Sequence, residues 1–136
     1  MTFEPDRGQP VLLLVEDDAD DQRFFQWSVR KSGLPISISL ARDGEQAIDY
    51  LSAPPARLFL ILSDVHLPKK SGWDLLQWIR RQTLCARLPV LIWTSLPNPE
   101  GALKAQQLGA SSYLSKPVTQ EGYRKLLELI RAYLRD

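Results

Sequence analysis

The sequence predicts an α/β domain: a five-stranded parallel sheet, doubly wound, with five helices on its two faces. Two observations carry this. Strand and helix patterns alternate five times along 136 residues. Three of the strand segments, VLLLV, LFLIL and LPVLIW, are unbroken apolar runs, as expected of strands covered on both faces. Length and composition agree with one domain that has a real core, at 44% hydrophobic and 24% charged residues.

The elements follow in order. Val11 to Val15 reads as a buried strand. Asp18 has the character of a helix N-cap, and the helix after it, with Phe24, Phe25, Trp27 and Val29, stops at Gly33 and Pro35. Ile36 to Leu40 alternates as a strand. Asp43-Gly44 is a turn signal, and a helix with Ala47, Ile48 and Leu51 ends before Pro54-Pro55. Leu58 to Leu62 is the third strand and runs into Ser63-Asp64. The loop VHLPKKSG leads to Ser71, which with Asp74 makes a variant capping box for a helix bearing Leu75, Leu76 and Ile79. Pro89 opens the fourth strand, which ends in Thr94-Ser95. The loop LPNPEG precedes a short helix with Leu103 and Leu108, closed by Gly109. Ser111 to Ser115 is a brief strand before Lys116-Pro117. The last helix places Tyr123, Leu126, Leu127, Ile130, Tyr133 and Leu134 at helical spacing.

Seventeen basic residues against sixteen acidic ones give no electrostatic reason to expect nucleic acid or an anionic membrane as partner. One cysteine, Cys85, builds no internal disulfide. The N-terminus has no apolar signal core, and no apolar run approaches a bilayer span. A cytoplasmic protein is expected. The tryptophans Trp27, Trp73, Trp78 and Trp93 read as packing residues rather than as one ligand-binding cluster.

Ligands of open parallel sheets bind beyond the carboxyl ends of the strands. Those ends carry Glu16 and Asp17, then Asp64, then Thr94 and Ser95, then Lys116. The topology therefore brings three carboxylates, a hydroxyl and an ammonium to one edge. Mutually repelling carboxylates become a hard-oxygen site for a divalent cation, and Mg2+ suits it best. An aspartate beside such a cation can act as a nucleophile toward a phosphoryl group and form an acyl phosphate. Lys116 would hold a phosphoryl oxygen as a point charge, and the Thr94 hydroxyl another.

At these residues the sequence resembles the receiver domains of two-component response regulators. The matching pieces are LLLVEDD, ARDGEQAIDYL, LILSDVHLPKKSGWDLL, PVLIWTS and GASSYLSKPV. The stretch LPKKSGWDLL further resembles small stand-alone regulators found with phytochrome-type kinases. The resemblance implies a flavodoxin-like strand order 2-1-3-4-5 and a single receiver domain over residues 1–136, with its core at about 10–134 and no output domain. It implies Asp64 as phosphoacceptor, and Glu16, Asp17, Asp64 and the backbone carbonyl of His66 as Mg2+ ligands. Thr94 and Lys116 would contact the phosphoryl group, Thr94 and Tyr113 would form the switch, and the Lys116-Pro117 bond would be cis. It also implies a phosphoacceptor signalling protein that assists only its own phosphorylation and dephosphorylation, not an enzyme. Its partners would be a sensor histidine kinase, of phytochrome type by the narrower likeness, or a phosphorelay histidine protein, or a second copy in a homodimer.

Three positions depart from the commonest form of the family. His66 stands where a small or amide side chain is frequent, and Leu96 where a polar one is. Both lie near the expected approach of water to Asp64 and should alter the lifetime of its phosphorylated state. Trp93 is bulky for its place and reads first as core, second as part of the switch. The output would be the face of the fourth helix, fifth strand and fifth helix, with Leu103 and Tyr123 as candidate contacts. Two other classes compete. An aspartate-based phosphohydrolase would carry an acid at position 66, where histidine stands. A phosphorylation-independent receiver-like interaction module usually lacks the acceptor or the lysine.

Overall fold

The computed structural model describes residues 2–3 and 8–135. Its sheet contains β1 (Thr2–Phe3), β2 (Val11–Val15), β3 (Ser37–Ala41), β4 (Leu58–Asp64), β5 (Val90–Thr94) and β6 (Ser112–Ser115), in the order β1-β3-β2-β4-β5-β6. From β3 to β6 every neighbouring pair is parallel. These are the five expected strands in the order second, first, third, fourth, fifth. The strand β1 was not expected. It pairs antiparallel with β3, with Thr2 opposite Ser39 and Phe3 opposite Ile38, and so covers backbone groups that an edge strand otherwise leaves unpaired.

Alternation along each strand divides the core in two. Leu12, Leu14, Leu60, Leu62, Leu91 and Trp93 face α1 (Ala19–Ser32) and α5 (Gln120–Ala132), where they meet Phe25, Val29, Tyr123, Leu126 and Ile130. Leu13, Val15, Ile61, Val90 and Ile92 face the opposite layer and meet Ala47 and Leu51 of α2 (Gly44–Leu51) and Leu75, Leu76 and Ile79 of α3 (Gly72–Arg80). Trp93 is wholly buried and meets Phe25 edge to face, ring centroids 5.9 Å apart. Its reading as core holds.

The helix starts are fixed by side chains that accept a backbone N–H two or three positions on. Asp18 caps α1 through Asp21 N, and Gly33 closes that helix in the left-handed region at φ 75°. Asp43 caps α2, so the Asp43-Gly44 turn signal marks a helix start rather than a free turn. Ser71 and Asp74 form the capping box of α3. In α4 (Pro99–Leu108) Asn98 is the cap and Pro99 is in the first turn; part of the stretch expected as loop is thus helical, since proline there lacks only an N–H that would be unpaired anyway. Thr119 caps α5, and a short 3-10 turn, Tyr133–Arg135, follows.

Candidate functional site

The carboxyl ends of β2, β4, β5 and β6 meet at one edge of the sheet, and the expected residues meet there with them. Glu16 follows β2 directly and is fully buried. Its backbone N–H donates to Ala41 O at 2.9 Å, and Gln22 of α1 donates its side-chain amide to Glu16 O at 2.6 Å. The Glu16 carboxylate accepts the Asp18 N–H on Oε2 at 3.1 Å. Asp64 ends β4 and is 5% exposed. Its Oδ1 accepts from His66 N at 3.1 Å. Asp17 is exposed at the rim. Carboxylate oxygens of Glu16, Asp17 and Asp64 all lie within 4.8 Å of one another.

Lys116 crosses this group from the end of β6. Its backbone N–H donates to Thr94 O at 2.8 Å, which fixes the root of the side chain against β5. Its ammonium donates to Asp64 Oδ2 at 2.8 Å and to Asp21 Oδ2 at 2.8 Å. Glu16 Oε1 is 3.0 Å away, an ion-pair contact that lacks hydrogen-bond direction, so this buried oxygen has no hydrogen-bond partner. The Lys116 side chain is 8% exposed. Burial alone would lower its pKa, but the hydrogen bonds to Asp21 and Asp64 and the charge of Glu16 outweigh that and hold it above the ordinary lysine value. Lys116 is therefore a fixed cation at any physiological pH. Glu16 is raised as well, which for a carboxyl favours the neutral form. Burial first, and the Asp64 charge second, push its carboxyl up to about 7.

The site gathers four carboxylates, from Glu16, Asp17, Asp21 and Asp64, and one ammonium, and so is short of positive charge. The buried oxygen of Glu16 without a hydrogen bond and the all-oxygen donor set fit a hard divalent cation. Glu16, Asp17 and Asp64 are the side chains that would hold it.

Thr94 ends β5, is 2% exposed, and accepts the Leu96 N–H on Oγ1 at 3.3 Å. Tyr113 lies one strand over and is half-buried. Its hydroxyl accepts from Asn98 N at 3.2 Å, and its ring stacks on Trp73 at 6.3 Å and 19°. Lys104 stands over the other ring of that pair, 5.4 Å from the Trp73 centroid. Thr94, Tyr113, Trp73, His66 and Leu96 line a cavity of about 200 Å³ beside the acidic group. His66 and Leu96, singled out for the approach of water, do border the site, and Leu96 is 77% exposed. Of the candidate output contacts, Leu103 is exposed, whereas Tyr123 is buried in the α1–α5 layer.

The expected cis bond is a correction. Among the described residues no peptide bond is cis, so Lys116-Pro117 is trans. The trans form is the lower-energy isomer of an X–Pro bond by about 0.5–1 kcal/mol, and with it the Lys116 ammonium already reaches its carboxylates. Asp21 is a member of the site that sequence reasoning left without a role. A signal existed: it lies in the first turn of the helix that starts at the site, and helical side chains lean toward the helix N-terminus. Trp93 also reaches the site, with its ring centroid 5.5 Å from Lys116 Nζ.

The response regulator receiver domain family matches residues 12–129. Response regulator Rcp1 of Synechocystis is 30% identical over 130 residues, covering 90% of this chain and 87% of its own. A crystal structure of Rcp1 in its Mn2+-bound form superposes with a TM-score of 0.79 over 92% of this chain and 94% of that one, at 29% identity. A phosphorylated cyanobacterial phytochrome response regulator, RcpA, gives 0.83 over 94% and 96%, at 26% identity. The receiver domain of sensor histidine kinase PA1611 of Pseudomonas aeruginosa, with a magnesium ion coordinated in its active-site cleft, gives 0.80 over 95% and 100%, at 26% identity.

Proposed function

Because the chain belongs to the response regulator receiver domain family, we propose that it accepts a phosphoryl group on Asp64 from a histidine kinase or a phosphorelay histidine protein. Receiver-domain response regulators are signalling proteins, and the likeness to the cyanobacterial phytochrome response regulator RcpA favours a phytochrome-type kinase as the source. The observation that carries the proposal is the Lys116 ammonium bonded at 2.8 Å to Asp64 Oδ2, beside the convergent Glu16 and Asp17.

In the transfer, an Asp64 carboxylate oxygen attacks phosphorus and a P–O bond forms. The P–N bond to the donor imidazole breaks, and its electron pair returns to the ring. The reaction needs positioning and charge neutralisation more than covalent help. Mg2+, held by Glu16, Asp17, Asp64 and the His66 carbonyl, would neutralise phosphoryl oxygens that the carboxylates repel. Lys116 presents a fixed positive charge to one phosphoryl oxygen. Thr94 Oγ1 accepts from Leu96 N, which leaves its proton free to donate to another.

The signal is a shift in a two-state surface. Thr94 moves toward the phosphoryl group, Tyr113 rotates inward with it, and the face of α4, β6 and α5 repacks to bind a partner or a second copy. The protein is read as a cytoplasmic receiver domain and a catalyst only of its own phosphorylation and dephosphorylation. Incubation with acetyl phosphate and Mg2+ tests the reading: the parent gains one phosphoryl group and Asp64→Asn gains none. A parent that gains none from acetyl phosphate or from a histidine kinase would instead be a phosphorylation-independent interaction module.

A further inference from the structure

Lys116 is gripped by more carboxylates than phosphoryl transfer needs. An ammonium has three protons, and three carboxylates surround it at 3.0, 2.8 and 2.8 Å, from Glu16, Asp21 and Asp64. Glu16 and Asp64 belong to the group that converges with Asp17; Asp21 does not. A cation held there would engage the first two, and phosphorylation would convert Asp64 to an acyl phosphate. Neither event draws on Asp21.

Its backbone makes Asp21 a firm support. It lies in the first turn of α1, and its N–H is held by Asp18 Oδ2 at 2.8 Å. The side chain is 24% exposed, so its contact with Lys116 is weakly screened. On another side of the ammonium stands the Trp93 ring, wholly buried and braced by Phe25. An aromatic face favours a cation and has no oxygen for a metal to recruit. The lysine root is tied to Thr94 O.

We propose that Asp21 is a positioning residue for Lys116, keeping the ammonium at the sheet edge while cation and phosphoryl group engage its other two partners. The proposal rests on Asp64 being the phosphoacceptor. Root and tip of the lysine are then fixed by groups outside the reaction, and a donor stays directed at the phosphoryl oxygen. The plainer role for an acid in a first turn is to complement the helix dipole. That role does not depend on Lys116, and this difference is what the experiment reads.

Two measurements suffice, on the parent, Asp21→Asn, Asp21→Glu, Lys116→Met and the Asp21→Asn/Lys116→Met pair. The first is urea unfolding in EDTA, which requires no phosphorylation. Asp21→Asn lowers the midpoint clearly more in the parent than in the Lys116→Met background. An equal loss in both backgrounds overturns the proposal. The second is the rate of phosphorylation by acetyl phosphate at saturating Mg2+, with Mg2+ affinity followed by tryptophan fluorescence. Asp21→Asn is about threefold to tenfold slower, as for coupled contacting residues, its Mg2+ affinity is unchanged, and Asp21→Glu recovers most of the rate. An unchanged rate, or a fall that tracks weaker Mg2+ binding, overturns the positioning role and leaves Asp64 as acceptor intact. A parent that takes no phosphoryl group overturns both readings together.

Discussion

Gly72 lies against the backbone of Asp64: a Cβ at position 72 would overlap the Asp64 carbonyl oxygen and crowd Val65 Cα. The first residue of α3 is thus pressed onto the end of β4, and Gly72 N donates to Val65 O at 2.8 Å. The helix that follows the acceptor loop is anchored by the absence of a side chain.

Gly72→Ala tests that anchoring, with Gly101→Ala as its contrast. At Gly72 the added carbon meets backbone, which has nowhere to go, and a loss of roughly 3 kcal/mol is expected, at the upper end of overpacking costs. At Gly101 the added carbon meets the hydroxyl end of Tyr113, a side chain that can rotate away. Gly101→Ala should cost no more than about 1 kcal/mol but expel Tyr113 from its stack on Trp73. Urea unfolding reads the first difference, and tryptophan emission of Gly101→Ala, alone and with Tyr113→Phe, reads the second.

Glu16 makes the metal-free protein pH-sensitive. Its carboxyl is raised by burial, then by the Asp64 charge, from the ordinary 4.5 to about 7. Between those values the folded state holds a proton that the unfolded chain has released. Its contribution to stability is complete below pH 4.5 and is lost as pH rises through 7. In EDTA, Glu16→Gln should flatten the fall in urea midpoint between pH 5.5 and pH 8. Cation binding runs in the opposite sense, because the ligand must be deprotonated. Apparent Mg2+ affinity should drop roughly tenfold from pH 8 to pH 6, by fluorescence titration.

Arg80 clamps the far end of the same layer. Its guanidinium donates to Gly109 O at 3.1 and 2.7 Å, to Ala86 O at 3.0 Å and to Leu88 O at 2.8 Å. It thereby ties the end of α3 to the C-cap of α4 and to the segment leading into β5. Lysine lacks the planar fork. Arg80→Lys should cost about 1.5–3 kcal/mol, the range for hydrogen bonds to a charged group, measured by urea unfolding at constant pH.

The sheet was legible because each unbroken apolar run is a strand covered on both faces, and the polar residue ending each run lands at the edge where ligands bind. That single rule places Glu16, Asp17, Asp64 and Thr94 together, and the brief strand that ends at Ser115 adds Lys116. Strand β1 left no such mark, since two residues pairing through their backbones need no side-chain pattern. Asp21 was hidden by ambiguity: an acid in a first turn is expected for the dipole, and only the three-dimensional reach of Lys116 gives it a second role. The seat of Tyr113 between Trp73 and Gly101 joins three elements distant in the chain, and no local spacing encodes it. The cis bond failed because the lysine was assumed to need it, whereas the trans chain delivers the ammonium.

The most direct test of the central claim is to find the phosphoryl group on its residue. The protein is incubated with acetyl phosphate and Mg2+, reduced with borohydride so that an aspartyl phosphate becomes homoserine, digested and sequenced by mass spectrometry. Homoserine is expected at position 64, dependent on Mg2+ and absent in Asp64→Asn. Reduction at another carboxylate, or a phosphoryl group that persists in Asp64→Asn, would contradict it.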